Sequence, residues 1–174
     1  IFSFCLSLTA TAENGRADEP SIPNDKQNFH LFLLAGQSNM AGRGRVDEQA
    51  RETDARILSL NKAGEWQLAA DPLHFDKPRA VGVGLGKSFA ADYVRDNPGI
   101  TVGLIPCAAG GSAISTWEPG GYHSQTKSHP WDGTVARVQR AVESGVVRGV
   151  LWHQGESDSK RMLAEVYEEN LHEL

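Results

Sequence analysis

Apolar residues fall along this chain in three short blocks, each followed by a polar, glycine-bearing stretch. The blocks are Phe29–Ala35, Ile100–Ile105 and Gly149–His153, the last with Val146 and Val147 just ahead of it. Short, mostly apolar runs of this kind predict strands buried on both faces, as in parallel sheets. Between the blocks the apolar positions recur at helical spacing. Gly84–Asp96 sets Leu85, Phe89 and Val94 near one face and stops at Asn97-Pro98-Gly99. Thr134–Ser144 sets Val135, Val138 and Val142 on one face, with Arg137, Arg140 and Glu143 off it, and Gly145 ends it. Strands alternating with helices predict an α/β domain with a mostly parallel sheet covered on both faces. Ala55–Leu60 and Glu65–Leu68, on either side of Asn61-Lys62-Ala63-Gly64, predict a small hairpin beside that core. Asp158-Ser159 predicts the cap of a last helix with Leu163, Val166, Asn170 and Leu171 on one side.

The front of the chain has a different character. Ile1 to Ala12 carry no charge and end in the small-x-small pattern Ala10-Thr11-Ala12, which reads as the tail of a secretory signal peptide. The expected organisation is a signal remnant over 1–12, a flexible polar lead-in over 13–28 and one domain over 29–174, exported as a secreted or periplasmic protein. Cys5 would leave with the signal, so Cys107 would have no partner for an internal disulfide. Composition narrows the classes further. A formal charge of −5 over 174 residues disfavours a protein that tracks nucleic-acid phosphates. No run of eighteen apolar residues exists, so no membrane span is expected in the mature form.

Chemistry gathers where the three strands end. The first runs into Gly36-Gln37-Ser38-Asn39. A serine on such a turn is presented at the carboxyl edge of the sheet, where open α/β sheets place their ligands. It is a candidate nucleophile, although Ser38 or Asn39 as a plain helix N-cap is the alternative. Met40 stands where the Gly-x-Ser-x-Gly elbow needs glycine. The second strand runs into Pro106-Cys107-Ala108-Ala109-Gly110-Gly111-Ser112, whose paired glycines let backbone N–H groups approach a ligand. The third runs into His153-Gln154-Gly155-Glu156-Ser157-Asp158, which adds a carboxamide and a carboxylate. A nucleophile with donors for a developing oxyanion is what ester hydrolysis requires.

In this order, Gly-Gln-Ser-Asn-Met-Ala-Gly, Ala-Gly-Gly-Ser-x-Ile-x-x-Trp and Trp-His-Gln-Gly-Glu-Ser-Asp closely resemble the sialate O-acetylesterase-like branch of the SGNH hydrolases. That branch includes plant-type and bacterial carbohydrate acetylesterases, acetylxylan esterases among them, and the match runs from about Phe29 to Leu174. The resemblance implies a flavodoxin-like three-layer α/β/α sandwich, here lacking the family's C-terminal part. It implies a serine esterase that removes O-acetyl groups from carbohydrate through an acetyl-enzyme, without metal or organic cofactor. Ser38 matches the nucleophile. The Ser38 N–H, the Gly111 N–H and the Gln154 amide match the oxyanion hole, and Glu156 matches a carboxylate that orients the catalytic histidine. Gln37, Asn39 and Trp117 are the candidate substrate contacts, and acetylated carbohydrate is the implied partner. The family's base is a histidine in an Asp-x-x-His motif near the C-terminus, and no such motif stands in that part of this chain. His30, His74, His123, His129, His153 and His172 read as structural or surface residues. A catalytically silent carbohydrate-binding remnant of the same fold is the alternative function.

Other signals weigh less. Gly82-Val83-Gly84-Leu85-Gly86-Lys87-Ser88 suggests a phosphate loop, but Val81 stands where that pattern needs glycine and no strand precedes it. Cys107, flanked by Pro106 and alanines, reads as a packing residue. Trp117, Tyr122 and Trp131 either stack on sugar rings or pack a lid. His123, His129, Asp132 and Glu118 have no metal-ligand spacing.

Overall fold

β1 (Phe29–Gly36) is an interior strand, paired in parallel with β4 (Thr101–Pro106) on one side and β5 (Val146–His153) on the other. The computed structural model describes residues 19–174. The expected signal remnant and the first part of the lead-in lie outside the described residues. β2 (Ile57–Leu60) pairs in parallel with β4 and antiparallel with β3 (Trp66–Leu68), so the sheet order is β3-β2-β4-β1-β5.

Side-chain alternation divides the core into two layers. Phe32, Leu34, Val102 and Leu104 face α3 (Gly86–Asp96), where they meet Ala90 and Val94. Phe29, Leu31 and Ile105 face α4 (Pro130–Ala141), where they meet Ala141 and Val138. Both layers are needed to bury an apolar run such as Phe29–Leu34 on its two faces, which is why the three-layer α/β/α sandwich forms. Phe29, Leu31 and Leu34 are completely buried. Truncating such a leucine to alanine costs about 2–5 kcal/mol.

Five local expectations change. The third apolar block, expected to be buried on both faces, is the edge strand β5, which has no fully buried residue and leaves Val147 37% and Val150 57% exposed. The 55–68 hairpin is no appendage: all four residues of β2 are buried, and the strand is continuous with the main sheet. α4 begins at Pro130 rather than Thr134, because proline at the first helical position gives up no hydrogen bond and presets φ. α3 begins at Gly86 rather than Gly84, because Gly82 and Val83 are held by the 42–44 loop. The single last helix is instead two short ones, α5 (Arg161–Ala164) and α6 (Tyr167–His172). Leu163, Val166 and Leu171 remain 39–42% exposed, so no continuous apolar stripe holds one helix together. Within the lead-in, Asp25 caps a 3-10 turn over Lys26–Asn28. No helix of the described residues is long and apolar enough to cross a membrane.

Candidate active site

The carboxyl ends of β4, β1 and β5 lie side by side and release three loops at one rim. The first loop passes through Gly36 and Gln37 into α1 (Ser38–Ala41). Gly36 has φ +136°, and a Cβ there would lie 2.1 Å from the His153 carbonyl oxygen. The close approach lets Gln37 N–H donate to that oxygen at 2.9 Å, tying β1 to β5 just before Ser38.

The 107–112 turn is held by groups from every side. Cys107 N–H donates to Leu34 O and Ala109 N–H to Gly36 O, both at 2.9 Å. Ala108 N–H donates to His74 Nδ1 at 3.3 Å and Gly110 N–H to Asp76 Oδ2 at 2.7 Å. Ser112 N–H donates to Ala109 O. Gly111 N–H is the one backbone donor of this turn without an acceptor among the described residues. Gly111 sits at φ +87°, a conformation that favours glycine.

The carbonyl side is fixed as firmly. His123 Nε2 meets Gly110 O at 3.3 Å, Ser157 Oγ donates to Gly111 O at 3.0 Å, and Gln154 Nε2 donates to Ser112 O at 2.9 Å. Asp158, 3% exposed, accepts from Ile114 N–H at 3.0 Å and from Gln154 Nε2 at 2.5 Å. Gln37, also 3% exposed, accepts the Ser157 N–H at 3.1 Å and Gln154 Nε2 at 3.2 Å on its Oε1. The 154–158 loop is thus a clamp on the 111–114 backbone, and Gln37 anchors the clamp to the first loop. Connected buried networks of this kind favour one arrangement of their members.

Against this fixed frame, Ser38 is half-buried, and neither its hydroxyl nor its N–H has a partner among the described residues. Asn39 is exposed and its amide donates to Glu156 Oε1, which joins the first loop to the third. No histidine side chain is hydrogen-bonded to Ser38 among the described residues. His74 is 5% exposed and burial pulls it down to about 3, with Arg137 and Arg43 adding to the effect, so it is neutral at neutral pH. His30 bonds Tyr93 and Gln27, and His129 contacts the Gly120 and Gly121 carbonyls. His153 ends β5 with an exposed side chain, and His172 lies on α6. Burial also pushes the Cys107 thiol up to about 11, far from the thiolate that a nucleophile needs.

Several candidate residues take unexpected positions. Trp117 is 2% exposed; its indole N–H donates to Ser112 Oγ at 2.9 Å and its ring meets Trp152 edge-on. It packs the turn from below and keeps little surface for a sugar. Gln154 spends its two N–H hydrogens among three acceptors within 3.2 Å, while its Oε1 is buried without a partner. Asp158 is not a helix cap: its carboxylate turns inward to Ile114 and Gln154, since a buried carboxylate needs donors. Ser157, Asp158, Asp76 and His123 are framework residues whose part in holding this turn the sequence reading did not assign. The first two stood inside the third motif and carried a signal. Asp76 and His123 carried none.

Fold and rim together define an α/β/α protein with a serine at the carboxyl edge of its sheet. A family model described as "Carbohydrate esterase, sialic acid-specific acetylesterase" matches residues 28–174, and the chain belongs to that family. It is 34% identical over 160 residues to a probable carbohydrate esterase of Arabidopsis thaliana and spans 59% of that relative's length. The X-ray structure of the same Arabidopsis protein superposes with a TM-score of 0.71 over 84% of this chain and 65% of that one, at 35% identity. A carbohydrate acetylesterase from Xanthomonas citri shares the fold at TM-score 0.57 and 23% identity, over 81% of this chain and 36% of that one. NanS shares it at TM-score 0.54 and 17% identity, over 85% of this chain and 63% of its own.

Proposed function

We propose that this protein is a serine esterase that removes O-acetyl groups from carbohydrate, with Ser38 as nucleophile. The supporting observation is the backbone bookkeeping of the 107–112 turn, in which every N–H is bonded except that of Gly111. A free backbone donor on the same sheet rim as a serine with a free hydroxyl suits a tetrahedral intermediate. Ser38 Oγ attacks the acetyl carbonyl and the oxyanion accepts from the Gly111 and Ser38 N–H groups. The sugar hydroxyl then leaves with a proton, and water hydrolyses the acetyl-enzyme to acetate. Gln154 fixes the Ser112 carbonyl; as an oxyanion donor it must give up one of its present acceptors. Glu156 holds Asn39 and is available to orient a base. The base that takes the Ser38 proton is, by resemblance, a histidine of an Asp-x-x-His motif. The uncharged segment 1–12 supports export of the protein.

The test is acetate release from acetylated xylan and from an aryl acetate by the protein and by Ser38→Ala. Release that depends on Ser38 is expected. Equal rates in both proteins would remove Ser38 from the mechanism. No base is hydrogen-bonded to Ser38 among the described residues, which favours a second reading, a silent carbohydrate-binding protein of the same fold. Binding of xylan with no acetate release would establish that reading instead.

A further inference from the structure

α6 brings one aromatic ring to the third loop of the site. Leu163, Val166 and Leu171 nearby stay exposed, whereas Tyr167, the first residue of α6, is half-buried. Its hydroxyl oxygen lies 3.1 Å from Trp152 Nε1 and 3.0 Å from the Gln154 carbonyl oxygen. An indole N–H only donates, so the tyrosine oxygen accepts there. The single phenolic proton is then left for the Gln154 carbonyl. The ring also lies over Gly155, where an added Cβ would be 3.7 Å from both Cζ and the hydroxyl oxygen of Tyr167.

These contacts pin the peptide at which the third loop begins. Gln154 follows the end of β5, and Gly155 sits at φ +137°, a conformation that favours glycine. The direction of the Gln154–Gly155 peptide decides where the next three residues fall. Those residues make the clamp: Ser157 Oγ donates to Gly111 O, Ser157 N–H donates to Gln37, and Asp158 accepts from Ile114 N–H. Glu156 in turn accepts from Asn39.

The contacts also close on themselves. Trp152 meets Trp117 edge-on at 5.1 Å between ring centroids. Trp117 N–H donates to Ser112 Oγ, and the Ser112 carbonyl accepts from Gln154 Nε2. Gln154 is therefore held at its side chain by the second loop and at its backbone by α6, which lies outside the three rim loops. A phenylalanine would pack against Gly155 as well as tyrosine does. Only the hydroxyl addresses the carbonyl. We propose that Tyr167 is a positioning residue, whose hydroxyl sets the Gln154–Gly155 peptide and, through the 154–158 loop, the backbone at Gly111. Tyr167 has no hydrogen bond to Ser38 or Gly111 among the described residues, so its action is indirect. Its effect on rate rests on the esterase reading; its effect on the loop does not.

The experiment compares the protein with Tyr167→Phe by residue-resolved amide hydrogen exchange and by kinetics on an aryl acetate. Tyr167→Phe should lower Tm by only about 2–4 °C. The Ser157 and Ile114 amides should exchange about tenfold faster, while those of β1 and β4 keep their rates. Trp152→Phe removes the N–H that orients the hydroxyl; it should speed the same two amides and supplies the measurement if Tyr167→Phe folds poorly. In kinetics, kcat should fall about tenfold with KM changed less than about twofold. In a Ser157→Ala background, Tyr167→Phe should cost less than about twofold more, because both act through one clamp. Exchange that is unchanged, or that rises equally at every amide, overturns the proposal. So does a change in KM alone, or losses that multiply fully in the double variant. A protein that releases no acetate loses the esterase reading, and exchange alone then decides on Tyr167. Acetate release with unchanged exchange at Ser157 and Ile114 keeps the esterase and removes Tyr167 from it.

Discussion

Two glycine-rich turns on this molecule have similar compositions and opposite economies of backbone. In the first, Gly82 and Val83 donate to the carbonyls of Gly42 and Gly44, and Val83 O accepts the Gly44 N–H in return. A Cβ on Gly82 would lie 2.1 Å from Gly44 O, so glycine is there to let two backbones touch. In the second, Gly110 and Gly111 are surrounded mainly by side chains, and one N–H is left unspent. A Cβ on Gly111 would meet only the flexible end of Gln125, at 2.9 Å. Glycine content therefore does not distinguish the two turns. They differ in what the glycine meets: Gly82 lies against another backbone, whereas Gly110 and Gly111 lie against side chains.

The largest test of this contrast is Ser38→Ala. If the free Gly111 donor serves Ser38, acetate release from an aryl acetate should fall by at least about 10³-fold while the melting curve hardly moves. Next comes the paired substitution of the glycines themselves. Gly82→Ala should cost about 3 kcal/mol in denaturant unfolding, from backbone clash, with kcat of the folded fraction nearly intact. Gly111→Ala should show the reverse pattern, with kcat down about 10²-fold and a stability cost of about 1–2 kcal/mol from its positive φ. If both variants lose stability and rate in the same proportion, the two turns do not differ in kind.

Acid should attack the second turn selectively. His74 accepts the Ala108 N–H and has its folded pKa at about 3, against an ordinary value near 6.5. Between those values the unfolded chain binds a proton that the folded chain refuses. Stability contributed by neutral His74 is therefore complete above pH 6.5 and declines as pH falls toward 3. At pH 4.5 the protein should be about 2–3 kcal/mol less stable than at pH 7, and His74→Gln should flatten that part of the profile. The smallest expected effect belongs to Asp158→Asn, which retains an acceptor for Ile114 but weakens the grip on Gln154. A drop in kcat of about tenfold with KM unchanged would place Asp158 behind the chemistry. A change in KM alone would make it a substrate-side residue.

The central sheet was legible because burial on both faces leaves its signature in Phe29–Ala35 and Ile100–Ile105 as unbroken apolar runs. The same reasoning found the β2–β3 hairpin, which forms, but missed the pairing of β2 with β4. Ile57–Leu60 is equally buried, but the turn at Asn61–Gly64 advertised a local hairpin, and long-range parallel pairing with β4 has no local signal. Asp158 was misread for a related reason. Asp-Ser before a helical stretch is an N-cap pattern, and only the three-dimensional neighbourhood of Ile114 and Gln154 shows where the carboxylate turns. The motif residues Ser38, Gly111 and Gln154 stood out because they follow strands. Asp76 and His123 reach the same turn from loops with no periodicity, and nothing local distinguishes them.

The interior placement of β1 also bears on how the chain is made. Synthesis delivers Phe29–Gly36 first, yet its parallel neighbours follow only with Thr101–Pro106 and Val146–His153. At about 5–20 residues per second, a ribosome leaves this apolar strand without either partner for several seconds or longer. Helices on either side cannot shelter it in that interval, because α3 and α4 pack on a sheet that does not yet exist. The nascent chain is most vulnerable to off-pathway association before β4 emerges, and holding factors that bind short apolar segments would find their target at Phe29–Leu34.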